Sequence, residues 1–326
     1  MESEFSSNIF AHLHWVNEPS ARIYWLYLAS AMIIALLAYQ RISSGKFSAL
    51  RFFQYLLPPS IYLHRSAKVD YLFFLVNGVI FWGVVGPVMA FSGTLGQYFG
   101  SGLRATFGEF GFTPLSIPLL TALYTVATVI AMDLALFAQH WLMHRVPWLW
   151  EFHKVHHSAE VLTPMTVYRM HPVDDLLAWS LTGLAGGVTI GIFHWLYPLG
   201  LPIYTYMGIN VVVFLFYFFG YNLRHSHIWV SYGPVVSHVL VSPAQHQIHH
   251  SAEERHWDKN FGFIFALWDW LAGTLYVPRE HETFRLGIGG EERHFSSVRA
   301  LYLRPFQNLL RSRKSEGKDS AGDGQR

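Results

Sequence analysis

The sequence predicts an all-α fold, a multi-pass transmembrane bundle of about five spans with a cytoplasmic helical cap that carries its histidine-rich segments. Three observations predict it. Hydrophobic residues make up 52% of the 326-residue chain and charged residues only 13%, where globular chains carry about 25% charged. Five stretches are long and apolar enough for a helix of about 20 residues to cross a hydrocarbon core. The loops between them differ sharply in basic charge, which orients them. Aromatics, at 17%, fit interfacial anchoring. A net charge of +2 gives no reason to expect a nucleic-acid partner. With no cysteine in the chain, a disulfide framework and thiolate ligation are both excluded.

Met1 to Pro19 has two early glutamates and no basic n-region, and so does not read as a cleavable leader. The first span covers Ile23 to Gln40. Phe47 to Leu57, short, aromatic and closed by Pro58-Pro59, reads as an interfacial helix. The second span covers Tyr71 to Phe91 and the third Pro114 to Gln139. The fourth, Leu176 to Tyr197, and the fifth, Ile203 to Tyr221, are joined as a hairpin through residues 198–202. Arg41, Lys46, Arg51, Arg65 and Lys68 follow the first span, and only Arg104 follows the second. The positive-inside rule therefore places 140–175 and everything after 222 in the cytoplasm, with 198–202 outside. Three regions result: 1–113, transmembrane and interfacial; 114–278, histidine-bearing; and 279–326, polar and disordered from about 311.

Thirteen of the 19 histidines fall within 140–171 and 225–256, where even scattering would place about four. His140 and His144 are one helical turn apart, and His153, His156 and His157 share a face, as do His246, His249 and His250. The segment 153–160, His-Lys-Val-His-His-Ser-Ala-Glu, recurs at 246–253 with two differences. Eight imidazoles exceed the four to six ligands of one ion and imply two. A lone histidine would read as a hydrogen-bonded core or interface residue, as His12, His14, His64, His194, His281 and His294 do. Asp133, seven residues before His140 and on the same face, is expected behind the ligands, fixing an imidazole tautomer.

In order along the chain, Asp133…His140-x3-His144, Leu149-Trp150-x2-His153-Lys-x-His156-His157-Ser158, His171-Pro172-x-Asp174, Asn222-x2-His225-Ser-His227, Ser242-Pro243-x2-His246-x2-His249-His250-Ser251 and Asn260-Phe-Gly…Asp269…Gly273-Thr274 resemble the fatty acid hydroxylase/sterol desaturase superfamily over residues 120–276. The resemblance implies a non-haem centre of two iron ions (Fe2+/Fe3+) with O2 as co-substrate, acting on a sterol, fatty acyl chain or alkyl ether lipid, by hydroxylation in preference to desaturation. It adds His225 to the expected ligands and ranks His171 and His227 below it; His238 and His256 are left out. No fused cytochrome b5-like domain is recognisable, so a separate carrier of cytochrome b5, ferredoxin or reductase type is expected. The expected setting is a bacterial inner membrane or the endoplasmic reticulum, with the active site on the cytoplasmic face.

Two other classes compete. An intramembrane zinc hydrolase would need a His-Glu-x-x-His arrangement, but Trp141 follows His140 and Gln247 follows His246. A metal transporter would carry ionisable groups at mid-membrane along several spans, and only Asp133 comes close.

Overall fold

The computed structural model describes residues 11–43, 46–110 and 115–322. The first ten residues, the start of the expected third span at Pro114 and the last four residues of the tail lie outside these. The described chain is mostly helical. The first long helix, α1 (Trp25–Ile42), buries Ala31 and Ala35, one turn apart, against Leu223 and Ile228. The short α2 (Ala49–Leu56) starts on the Ser48 hydroxyl, which accepts from the Arg51 N–H at 3.4 Å, and stops before Pro58-Pro59. The expected second span lies inside α3 (Arg65–Phe107). Its 43 residues reach about 64 Å, roughly twice a hydrocarbon core.

Helix α4 (Ile117–Arg145) carries the third expected span, and the Val146-Pro147 break turns the chain into α5 (Pro147–His157). The fourth span is α6 (Pro172–Leu196), whose first free N–H, that of Val173, is accepted by His171 Nδ1 at 3.1 Å. Close backbone approach packs α3 on α6: a Cβ on Gly191 would sit 2.9 Å from the Gly96 carbonyl oxygen, so neither helix tolerates a side chain there. Tyr124 of α4 stacks on Phe193 of α6 at 4.6 Å. Among the described residues, three helices are long and apolar enough to cross a membrane: α1, α4 and α6.

The fifth expected span is corrected. Residues 203–221 do not form one crossing helix. They form a two-stranded hairpin, β1 (Thr205–Tyr206) with β2 (Ile209–Asn210), followed by the eight-residue α7 (Val211–Phe218). Met207 and Gly208 both take positive φ, +51° and +79°, as a two-residue hairpin turn requires. Asn210 Oδ1 caps α7 by accepting from Val212 N–H at 3.0 Å, and Gly220, at φ +99°, ends that turn of chain. At about 12 Å, α7 falls well short of a bilayer core.

After residue 221 the chain is mostly loop and single turns. It holds α8 (Pro243–His249), α9 (Leu267–Ala272) and finally α10 (Val298–Gly322), which continues helically through Arg311, where the sequence reading starts a disordered tail. Helix α10 seals the outside of α5: Phe306 packs on Phe152 at 5.2 Å, and Asn308 donates to Glu151 at 2.6 Å.

Candidate metal centre

Nine of the expected ligands converge between α4, α5 and α8. One group is His140, His144, His153, His157 and His249, and the other is His156, His225, His246 and His250. Within each group the ligand nitrogens lie within 4.8 Å of one another. Each His-x-x-His-His triad is shared between the groups. On α5 the i, i+4 pair His153/His157 serves the first group and His156 the second. On α8 the pair His246/His250 serves the second and His249 the first. The two groups meet where His157 and His250 stack at 4.7 Å.

Local chemistry explains how α8 presents its face. Ser242 and Gln245 form a capping box, with Gln245 Oε1 accepting from the Ser242 N–H at 2.9 Å and Gln245 Nε2 donating to the Ser237 carbonyl at 2.9 Å. His225 follows a single turn at Tyr221–Leu223, whose Leu223 carbonyl accepts from Gln247 Nε2 at 2.9 Å.

In the first group, three rings have one nitrogen fixed as a donor. His140 Nδ1 donates to the Phe261 carbonyl at 2.8 Å, His249 Nδ1 to the Lys259 carbonyl at 2.8 Å, and His153 Nδ1 to Asp174 Oδ2 at 2.5 Å. Because a carbonyl only accepts, the proton sits on Nδ1 and the Nε2 lone pair is left free. All three Nε2 atoms are buried without a hydrogen-bond partner. In the second group, His225 Nε2 lies 3.4 Å from His156 Nε2 and 3.0 Å from His246 Nε2, which lies 3.2 Å from His250 Nε2. One ring nitrogen offers a single proton or a single lone pair, so it cannot bond two others in this way. Nitrogens about 3.0–3.4 Å apart are what metal–nitrogen bonds of roughly 2.1 Å produce. The donor set, nitrogen only and buried, fits a cation of iron, zinc or copper type.

Burial is the main cause holding His156, His157, His225, His246 and His250 well below the ordinary imidazole range. Neighbouring imidazoles add to it, and for His225 the charge of Arg224 does. His249 is pushed down to about 3 by burial, against the opposing pull of the Lys259 carbonyl. Neutral rings are the form that ligates.

His171 and His227 are not brought into either group. His171 caps α6 and packs on Phe152 at 4.8 Å; His227 meets the Tyr55 carbonyl at 2.7 Å. Asp133 also needs correction, for it holds no imidazole. It accepts from the Ile264 and Phe265 N–H groups at 2.7 and 3.0 Å and from Trp268 Nε1 at 2.8 Å. Seven residues along a helix is a rise of about 10 Å, too far for a short carboxylate to reach His140. The carboxylate hydrogen-bonded to one of the nine rings is Asp174, at His153, fully buried and also accepting from Gln139 Nε2 at 2.6 Å; Asp258 lies 3.8 Å from His144 Nδ1. Its signal was present in His171-Pro-x-Asp174. The carbonyl partners Phe261 and Lys259 leave no side-chain signal at all.

Asp133 and Asp269 together clamp the loop after Asn260. Asp269 accepts from the Phe261 and Gly262 N–H groups at 2.8 and 2.7 Å, and from the Thr274 hydroxyl at 2.6 Å. A Cβ on Gly262 would lie 2.5 Å from the Phe265 carbonyl oxygen. The loop is thus held from both sides with its Phe261 carbonyl aimed at His140. A cavity of about 420 Å³ starts at His140, His156 and His246 and runs along α4 and α6, past Met132 and Trp179, toward Ile203.

The fatty acid hydroxylase family profile matches residues 125–274. The chain is 28% identical to an ornithine lipid hydroxylase of Rhizobium tropici over 170 residues, 52% of this chain and 47% of that one. It is 24% identical over 166 residues to an alkylglycerol monooxygenase of Caenorhabditis elegans, 51% of this chain and 30% of that one. It is 28% identical over 144 residues to a Delta(7)-sterol 5(6)-desaturase of Gibberella zeae, 44% of this chain and 35% of that one. The chain thus spans less than half the length of these relatives. No solved structure matches it. Over residues 125–274 the histidine-bearing region is thus similar to the fatty acid hydroxylase family and to these relatives, which supports the resemblance to the fatty acid hydroxylase/sterol desaturase superfamily.

Proposed function

We propose that the protein is a membrane oxygenase with two iron ions, which hydroxylates a lipid using O2 and two reducing equivalents. The observation that carries this reading is the convergence of nine histidines, seven buried and two half-buried, into two adjoining groups beside a largely apolar cavity. His140, His144, His153, His157 and His249 would hold one ion, and His156, His225, His246 and His250 the other. Bound iron supplies the reduction of O2. The reaction balances as R–H + O2 + 2 e− + 2 H+ giving R–OH + H2O. A separate cytochrome b5-, ferredoxin- or reductase-type carrier would bring the electrons.

The rest is the work of this chain. The Phe261 and Lys259 carbonyls and Asp174 hold the protons of His140, His249 and His153 on Nδ1, so that each Nε2 lone pair faces inward. The apolar walls along α4 and α6 keep water away and give a lipid C–H bond a path to the histidines. The relatives named for lipid hydroxylation, ether-lipid oxygenation and sterol desaturation support a lipid substrate of the sterol, acyl or alkyl ether class. The positive loop after α1 supports a cytoplasmic site.

Purified protein loaded with Fe(II) and supplied with reductant and membrane lipid should consume O2. With 18O2, label in the lipid product identifies hydroxylation. Label only in water would identify desaturation instead. Stoichiometric zinc, together with hydrolysis that proceeds without O2, would overturn the oxygenase reading.

A further inference from the structure

Two arginines line the cavity beside the histidines, and the proposed centres do not use them. Arg224 precedes His225 in the chain and is 2% exposed. Its Nη2 donates to the Phe263 carbonyl at 2.8 Å, and its guanidinium carbon lies 4.9 Å from the Tyr221 ring centre and 5.4 Å from that of Phe263. Arg22, just before α1, is half-buried; its guanidinium carbon lies 6.0 Å from the Tyr221 ring centre and 5.6 Å from that of Phe263. The two cations therefore share the same two rings. Among the described residues, no carboxylate lies within 4.0 Å of either guanidinium. Two carboxylates line the cavity with them. Both act on the arginines through space, Asp133 on Arg224 and Asp175 on Arg22, without reaching contact distance: Asp133 is engaged by three N–H donors, and Asp175 stands in the first turn of α6.

Two guanidinium charges that share the same rings repel, and an anion seated between them would offset that repulsion at closer range than either aspartate does. Guanidinium groups pinned against aromatic rings keep their donor edges in fixed directions, which suits bidentate binding of a carboxylate or phosphate. The wall toward Ile203 carries no further cation; Val129, Met132, Leu136 and Trp179 dominate it, with Thr128, Thr182 and Asn210 as neutral polar groups.

We propose that Arg22 and Arg224 form the head-group subsite of the cavity. It selects an amphiphile with an anionic carboxylate or phosphate head, held at the histidine end, while the apolar tail extends along α4 toward Ile203. This rests on the lipid-oxygenase reading for its purpose but not for its test, since binding requires neither iron nor turnover.

The test is equilibrium binding of four probes of equal chain length to the full protein in uncharged detergent: palmitate, hexadecyl phosphate, hexadecanol and hexadecyltrimethylammonium. Inorganic phosphate serves as a competitor. Palmitate or hexadecyl phosphate should bind at least about tenfold more tightly than hexadecanol, the scale of one well-made charged contact. The tighter of the two identifies the head group. Inorganic phosphate should compete weakly. In R22Q the anion preference should fall toward parity while hexadecanol binding persists, and R22K should restore part of it. If R22Q does not fold, judged by thermal unfolding, the wild-type series decides alone. Equal binding of the anionic and neutral probes by wild type, or an anion preference that survives R22Q, would overturn the proposal. Inorganic phosphate that displaces hexadecyl phosphate at equal concentration would also overturn it, marking a site for a free anion.

Discussion

An imidazole ligates through one nitrogen, and what touches the other nitrogen settles which one. At His249 the Lys259 carbonyl makes that choice, and at His153 Asp174 does. Removing His249 should therefore cost the ion of the first group and leave the second. We expect H249A to bind about one iron where wild type binds two, measured by elemental analysis, with activity lost. His227 meets the Tyr55 carbonyl and packs edge-on against the Tyr55 and Tyr62 rings, so H227A should keep both ions; loss of metal in H227A would return His227 to the ligand set. The two aspartates separate in the same way. D174N replaces the carboxylate behind His153 and should weaken metal retention or turnover by roughly 10–100-fold, the usual effect of a lost outer partner. D133N should act on the loop it clamps, so its signature is faster proteolysis or hydrogen exchange around residues 261–268. Faster loop exchange in D174N with unchanged metal binding would reverse the assignment. Eight of the histidines were legible at this scale, because side chains of one type clustered at helical spacing have few other uses; His225 came from the resemblance alone. Their tautomers were not, since two of the three fixing partners are backbone carbonyls.

At the scale of elements, spacing showed which histidines share a face but not how a face divides between two ions. The repeated segment explains the division. In α5 and α8 the first and last histidines of the triad serve one group and the middle one serves the other, with the assignments exchanged between the helices. The fifth span was misread because hydropathy adds apolar residues regardless of backbone. The Met207-Gly208 turn and the Asn210 cap break the stretch into a hairpin and a short helix. Two glycines give element-scale tests. G262A would force a Cβ into the Phe265 carbonyl and shift the loop carrying the Phe261 carbonyl, so iron affinity should drop with little change in global unfolding temperature. G191V would wedge α3 from α6, and overpacking of this kind costs about 1–3 kcal/mol. It should lower the unfolding temperature while the metal groups, on other elements, still load. Metal loss without destabilisation in G191V would mean that the α3–α6 contact positions the centre directly.

At the scale of the whole molecule, the site depends on a helix that starts among the histidines and ends far from them. Helix α6 begins one residue after His171 and two before Asp174, and runs to Leu196. Its 25 residues rise about 37 Å, more than the roughly 30 Å of a hydrocarbon core. If α6 crosses the bilayer, the turn at Leu199 and the histidine groups stand on opposite sides. The basic segment after α1 reaches the histidine side, where the Tyr55 carbonyl meets His227, and its lysines and arginines then assign that side to the cytoplasm. The chain has no cysteine, so single cysteines report without background. Leu199 is 86% exposed and L199C should react with an impermeant maleimide added to intact cells. Glu254, exposed beside the histidine groups, should react as E254C only after the membrane is opened. Labelling of E254C in intact cells would place the metal groups outside. It would also remove their access to cytoplasmic electron carriers, and with that the proposed supply of reducing equivalents.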